Sequence, residues 1–173
     1  MGDRKRGTLV PPGIVLGVGF GGFVDGIVLH QMLQWHHMLT AHNHGQYAPT
    51  TLDALEINTL WDGLFHSSTW LAALVGVAML WLAARNGARW SAAVLAGAML
   101  AGWGLFNLIE GIVDHHILGL HHVRDDLGGP LSWDVGFLIL GALLVTGGWL
   151  VIRAGNAAHE VDCVGVDQRR PQA

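Results

Sequence analysis

The chain has 173 residues, 51% of them hydrophobic and only 13% charged. That charge is about half of the roughly 25% found in soluble domains. A formal net charge of −4 says little, because the distribution of charge matters more than its sum; no nucleic-acid partner is expected, and the single Cys163 excludes a disulfide framework or a thiolate metal site.

Residues 1–12 open with Arg4, Lys5 and Arg6, a basic cytoplasmic segment. The apolar run that follows is too long for a cleaved secretory signal, contains Asp25, and has no small-residue cleavage site before its histidines. Four apolar stretches reach the length of about 20 residues that a bilayer crossing requires. They cover about 14–35, 64–84, 90–112 (continuing to 118) and 135–152. The reading is an all-α integral membrane four-helix bundle occupying residues 13–153, followed by a polar, disordered cytoplasmic tail at 154–173.

Lys and Arg favour the cytoplasmic side of short loops. Arg4, Lys5, Arg6, Arg85, Arg89, Arg153, Arg169 and Arg170 fall on one side, leaving only Arg124 on the other, so both termini are expected to be cytoplasmic. Trp81, Trp90 and Trp149 then mark the inner interface, and Trp35, Trp61 and Trp133 the outer one. Ten of the eleven histidines, all but His159, belong to the outer half.

Those histidines repeat. Asp25-Gly-Ile-Val-Leu-His30, continuing to His36-His37-Met38, recurs 85 residues later as Glu110-Gly-Ile-Val-Asp-His115, continuing to His121-His122-Val123. Seven of fourteen positions are identical, and the acidic one changes only from Asp to Glu. Spans one and three are therefore equivalent, and the bundle reads as two helical hairpins related by a pseudo-twofold axis along the membrane normal. Trp61-Asp62 and Trp133-Asp134 give a weaker echo, while His66 has no counterpart in the second hairpin. Glycines along span one, and Gly97 with Ala101 in span three, suit close helix packing.

At about 100° per residue, Asp25 and His36 share one helical face, and His30 and His37 a neighbouring one. Seven residues of α-helix rise by about 10 Å, too far for one ion, so an inner and an outer layer are expected. The inner ligands are Asp25, His30, Glu110 and His115; the outer set is His36, His37, His121 and His122. Asp114 is expected on the face of Glu110 and His121. Asp62 and His66 form an i, i+4 pair of chelating spacing that closes the site. Imidazoles and carboxylates without thiolate suit Fe, Cu, Zn or Mn. The surplus of ligands suggests two ions, or one ion with carboxylates orienting the imidazoles.

Other readings stay open at this point. A haem b held by His30 and His115 is one, a metal-free proton relay is another, and purely structural histidines are a third. His42 and His44 read as solvated loop residues, His116 lacks a repeat partner, and Met32 and Met38 read as packing. Asp125, Asp126 and Asp134 read as solvated loop acids at the mouth.

The strings GFVDGIVLHQMLQWHH, WDGLFH and NLIEGIVDHHILGLHHVR resemble those of a widespread family of small bacterial membrane proteins of unknown function. The resemblance spans about Gly13 to Arg153 and implies a bacterial four-span membrane protein, without implying an activity. Membrane desaturases are also histidine-rich, but their HxxxH and HxxHH boxes, on the cytoplasmic side, are not found here.

From the residues, the expected function is a metal-dependent oxidoreductase or hydrolase acting on a lipid or small apolar substrate. Its site faces outward from the bacterial inner membrane. The alternative is a non-enzymatic protein that handles copper for a respiratory-chain partner or assists oxidase assembly. Partners are the bilayer and a second copy or respiratory protein.

Overall fold

The computed structural model describes residues 7–167, with side chains through residue 157. Helix α1 (Val10–Val24) runs directly into a π-helix, π1 (Asp25–Met32). A single turn, α2 (His42–Gly45), precedes α3 (Leu52–Arg85). Helix α4 (Ala92–Glu110) runs into a second π-helix, π2 (Gly111–Ile117), and α5 (Leu131–Asp167) completes the order. Four of these segments are long and apolar enough to cross a membrane, and no strand occurs among the described residues.

The helix starts follow local chemistry. Pro11 and Pro12 occupy the first turn of α1, where a missing N–H costs no hydrogen bond. Thr51 caps α3 by accepting from the Ala54 N–H, and Ser91 caps α4 by accepting from Val94. The Thr51 cap corrects the expected start of span two: the helix begins about one apolar span's half-length before residue 64. Asp62 therefore sits well inside α3, on the same helix as His66. Helix α5 continues past Arg153 through Asp167. His159 and Cys163 lie outside the described side chains.

Helices α1 and α4 form the middle of the bundle: α1 packs on α3 and on α4, and α4 packs on α5. Half of the most apolar window of the first span (50%) and 44% of the third are buried, against 17% and 11% in the second and fourth. Glycine permits this intimacy. A Cβ on Gly17 would stand 2.0 Å from the Met99 carbonyl oxygen, and one on Gly102 would stand 2.1 Å from that of Ile14. These two glycines are repeat equivalents, so the two backbones meet the same way from both sides.

Both π-helices end alike. Leu33 donates to the Val28 carbonyl and Trp35 to that of Leu29; Leu118 and Leu120 do the same to Val113 and Asp114. The chain then reverses through one left-handed residue, Gln34 (φ 52°) in the first half and Gly119 (φ 57°) in the second. The two loops pair with each other at this end, through Ala41 N–H to Leu120 and Asp126 N–H to Trp35.

Two substitutions test these features by thermal unfolding in detergent. Gly119→Ala has open space around it, so its cost is the left-handed backbone alone, about 1 kcal/mol. Gly102→Ala collides with backbone and is expected to lower the midpoint further. A smaller drop for Gly102→Ala than for Gly119→Ala would contradict the close approach of α1 and α4.

Candidate metal centre

In a π-helix the backbone bonds run from i to i+5, so residues five apart come together. That is the spacing of Asp25 and His30, and of Glu110 and His115. Asp25 Oδ2 lies 3.1 Å from His30 Nε2, and Glu110 Oε1 lies 3.2 Å from His115 Nε2.

The reversals at Gln34 and Gly119 then turn His36 and His121 back into the interior, where both are fully buried. This corrects the two-layer expectation, which assumed one continuous α-helix. The helices end at Met32 and Ile117, and His36 and His121 join the inner ligands instead of forming an outer set. Ring centroids run 4.4 Å from His30 to His36, 4.5 Å on to His121, where the rings stack, and 4.8 Å on to His115.

Three of the four imidazoles, His30, His36 and His121, are hydrogen-bonded through Nδ1, whereas His115 is hydrogen-bonded through Nε2 to Glu110 and its Nδ1 has no hydrogen-bond partner among the described residues. His30 Nδ1 donates to Asp62 Oδ1 at 2.9 Å, and His115 Nδ1 stands 3.3 Å from Asp134 Oδ1. His36 Nδ1 donates to the Val123 carbonyl at 3.0 Å, and His121 Nδ1 to that of Met38 at 3.2 Å, so each hairpin holds the other's histidine. The two aspartates are anchored in turn. Asp62 accepts from the Met38 N–H and from His37 Nδ1; Asp134 accepts from the Val123 N–H and from His122 Nδ1. A carboxylate or carbonyl on Nδ1 fixes the tautomer and leaves Nε2 as the free lone pair.

The free lone pairs meet acids. His121 Nε2 lies 3.0 Å from Glu110 Oε1. With the Nδ1 proton committed to Met38, two acceptors face each other unless a proton or a cation stands between them. Both Asp25 oxygens, Glu110 Oε2 and His36 Nε2 are buried without a hydrogen-bond partner among the described residues. A buried carboxylate left uncompensated costs several kcal/mol. Three overlapping ligand groups lie within cation-holding distance: His30/His36/His121, Glu110/His115/His121 and Asp25/His36/Glu110. These donors fit a metal ion with nitrogen and oxygen preference.

Burial holds His36 far below the usual imidazole range, with His121 and His30 adding to the effect. It pushes His121 down to about 3, with His115 and His30 contributing. Both are therefore neutral donors at neutral pH. Burial also pushes Asp125 up to about 6, although its carboxylate accepts from the His122 N–H.

Other expectations change place. Of the expected outer set, His37 and His122 do lie outward, where they hydrogen-bond Asp62 and Asp134. Asp62 and His66 do not chelate together. His66 Nδ1 donates to the Asp62 backbone carbonyl at 2.7 Å, and the Asp62 carboxylate serves His30 and His37. Asp114, half-buried, joins none of the three groups. His44 and His116 are exposed, and His42 stacks on Tyr47. Met38 contributes its peptide N–H and carbonyl.

Asp134 is the principal residue that the reading missed: it is completely buried, not a solvated loop acid. The signal was the Trp-Asp echo, since Asp62 and Asp134 perform the same task. Asn58, also completely buried, pins the first loop by accepting from the Leu39 N–H and donating to the Tyr47 carbonyl.

In metal-free protein, nitrogen-15 NMR should find His36 and His121 neutral, with the proton on Nδ1, throughout pH 5–7. A lowered imidazole pKa means that acid must go well below 6.5 before either ring charges. Titration of either ring near 6.5 would contradict the burial and bonding described.

Comparison with curated proteins returned no match, and comparison with solved structures returned none either. One family matches, over residues 12–155, which takes in all four apolar helices to within a few residues of their described ends. The chain belongs to the family described as predicted membrane protein DUF2243.

Proposed function

We propose that this membrane protein holds two transition-metal ions between its hairpins and uses them as a metal-dependent oxidoreductase or hydrolase. The observation that carries the proposal is the convergence of four Nε2 atoms with two carboxylates that lack other partners. One ion is assigned to Glu110, His115 and His121, and its pseudo-symmetric counterpart to His30 and His36 beside Asp25. Two imidazoles and a carboxylate suit Fe or Zn and leave positions open to substrate. A metal so held supplies Lewis acidity or an activated water. The chain's own residues orient it: Asp62 and Asp134 fix the imidazoles, and His37 and His122 continue the hydrogen-bonded path outward. His122, a third exposed, meets solvent and hydrogen-bonds Asp134, whose other oxygen stands 3.3 Å from His115 Nδ1. The charge pattern and tryptophan positions favour an extracytoplasmic site in the bacterial inner membrane.

A haem carried by His30 and His115 does not fit. The rings of His36 and His121 stack between them, in the room that a macrocycle would need. Copper delivery to a respiratory partner is less well supported, because Met38 is engaged through its backbone and supplies no thioether to the bonding described.

Elemental analysis of protein purified in detergent tests the reading. Native protein should retain close to two ions and show no Soret band. His30→Ala with His115→Ala should abolish retention, and Asp62→Asn or Asp134→Asn should each weaken binding by about 10–100-fold. Full occupancy in the double variant, or a metal-free native protein, would overturn the proposal.

A further inference from the structure

Beside the centre lies a cavity of about 360 Å³, within the usual range for small-molecule sites. It is lined by α1 and π1 through Val24, Asp25 and Leu29, by α4 through Trp103 and Asn107, and by α5 through Gly136, Phe137 and Leu140. Val24 and Leu140 are exposed, so the opening faces the side of the bundle, where lipid lies. Trp35 and Trp133 also line it, their rings 5.5 Å apart edge to face, with the Arg124 guanidinium over both.

The walls are aromatic, and two buried polar side chains, Asp25 and Asn107, reach the cavity. Asp25 is 4% exposed, and neither of its oxygens accepts a hydrogen bond among the described residues. An occupant must therefore bring a donor. A carboxylate or phosphate head would set like charge against Asp25, and a carbonyl, which Ser132 or Asn107 could serve, would still leave Asp25 without a donor. An aromatic hydroxyl supplies the donor, and its ring matches the tryptophan and phenylalanine walls.

We infer that this lateral cavity binds a membrane-soluble aromatic alcohol of the phenol or hydroquinone class, its hydroxyl donating to Asp25. The assignment names a substrate class for the proposed centre and rests on that reading, since Asp25 is where the cavity and the ligand groups meet. One carboxylate oxygen serves the cation while the other receives the hydroxyl. The pseudo-symmetry is broken at one position here: Gly26 faces His66 and Phe65, whereas its equivalent Gly111 faces Leu138 and Phe137, so leucine stands where the first half has His66.

The test uses the full chain in detergent under argon, titrated with decyl-hydroquinone and followed by tryptophan fluorescence, with metal content measured on the same samples. Saturable quenching is expected, at least tenfold weaker for the dimethyl ether of the same compound, which has lost its donors. Gly136→Phe fills the cavity from a position where a side chain meets nothing within 4 Å. It should abolish quenching and leave metal content at the native level. Equal binding of the ether, or native binding by Gly136→Phe, would overturn the inference while leaving the metal reading intact. Hydroquinone binding with the stated ether discrimination in a native protein that retains no metal would support the cavity assignment and overturn the metal reading.

Discussion

Two carboxylates, Asp25 and Glu110, are buried inside an apolar bundle, and both oxygens of Asp25 and Oε2 of Glu110 have no hydrogen-bond partner among the described residues. Most of the unusual structure around them brings imidazole nitrogen to these two side chains. The π-helices set the acids against His30 and His115, five residues on. The left-handed reversals return His36 and His121 to the same place. The exchanged bonds to Val123 and Met38 make each half incomplete without the other. Polar groups this deep in a membrane protein are costly to maintain and mark function by default.

The pseudo-symmetry is close where the centre is held and loose where it opens. Asp62 and Asp134 accept matching sets of bonds, and Gly17 and Gly102 bring α1 and α4 together reciprocally. The halves part at His66 and Leu138, and at Leu29 and Asp114. They also part at Gln34 and Gly119, where one half accepts a left-handed non-glycine residue that the other avoids. Such differences allow two halves built on one plan to diverge.

Much of this was legible in the sequence. The four spans followed from apolar length, and the duplicated motif singled out Asp25, His30, Glu110 and His115, which the fold brings together in pairs. The error lay in the period. A wheel of 3.6 residues per turn separates residues that a wider π-turn joins, and it carries a helix straight past the reversal that buries His36 and His121. Nothing in Gly-Ile-Val announces a π-helix, although Gly119 did announce a stop. Asp134 was set aside as a loop acid, though the Trp-Asp echo with Asp62 was visible. Burial depends on tertiary packing, and one strand of text does not show which loop acids fold inward.

The account stands or falls on what joins the Nε2 atoms to the carboxylates. X-ray absorption at the edge of the bound metal, on protein purified from membranes without added ions, reports that directly. The expected shell is nitrogen and oxygen at about 2.0–2.2 Å, with the outer scattering of more than one imidazole and no sulfur. A sulfur shell, a haem-like signature, or a metal edge no stronger than the buffer's would contradict it.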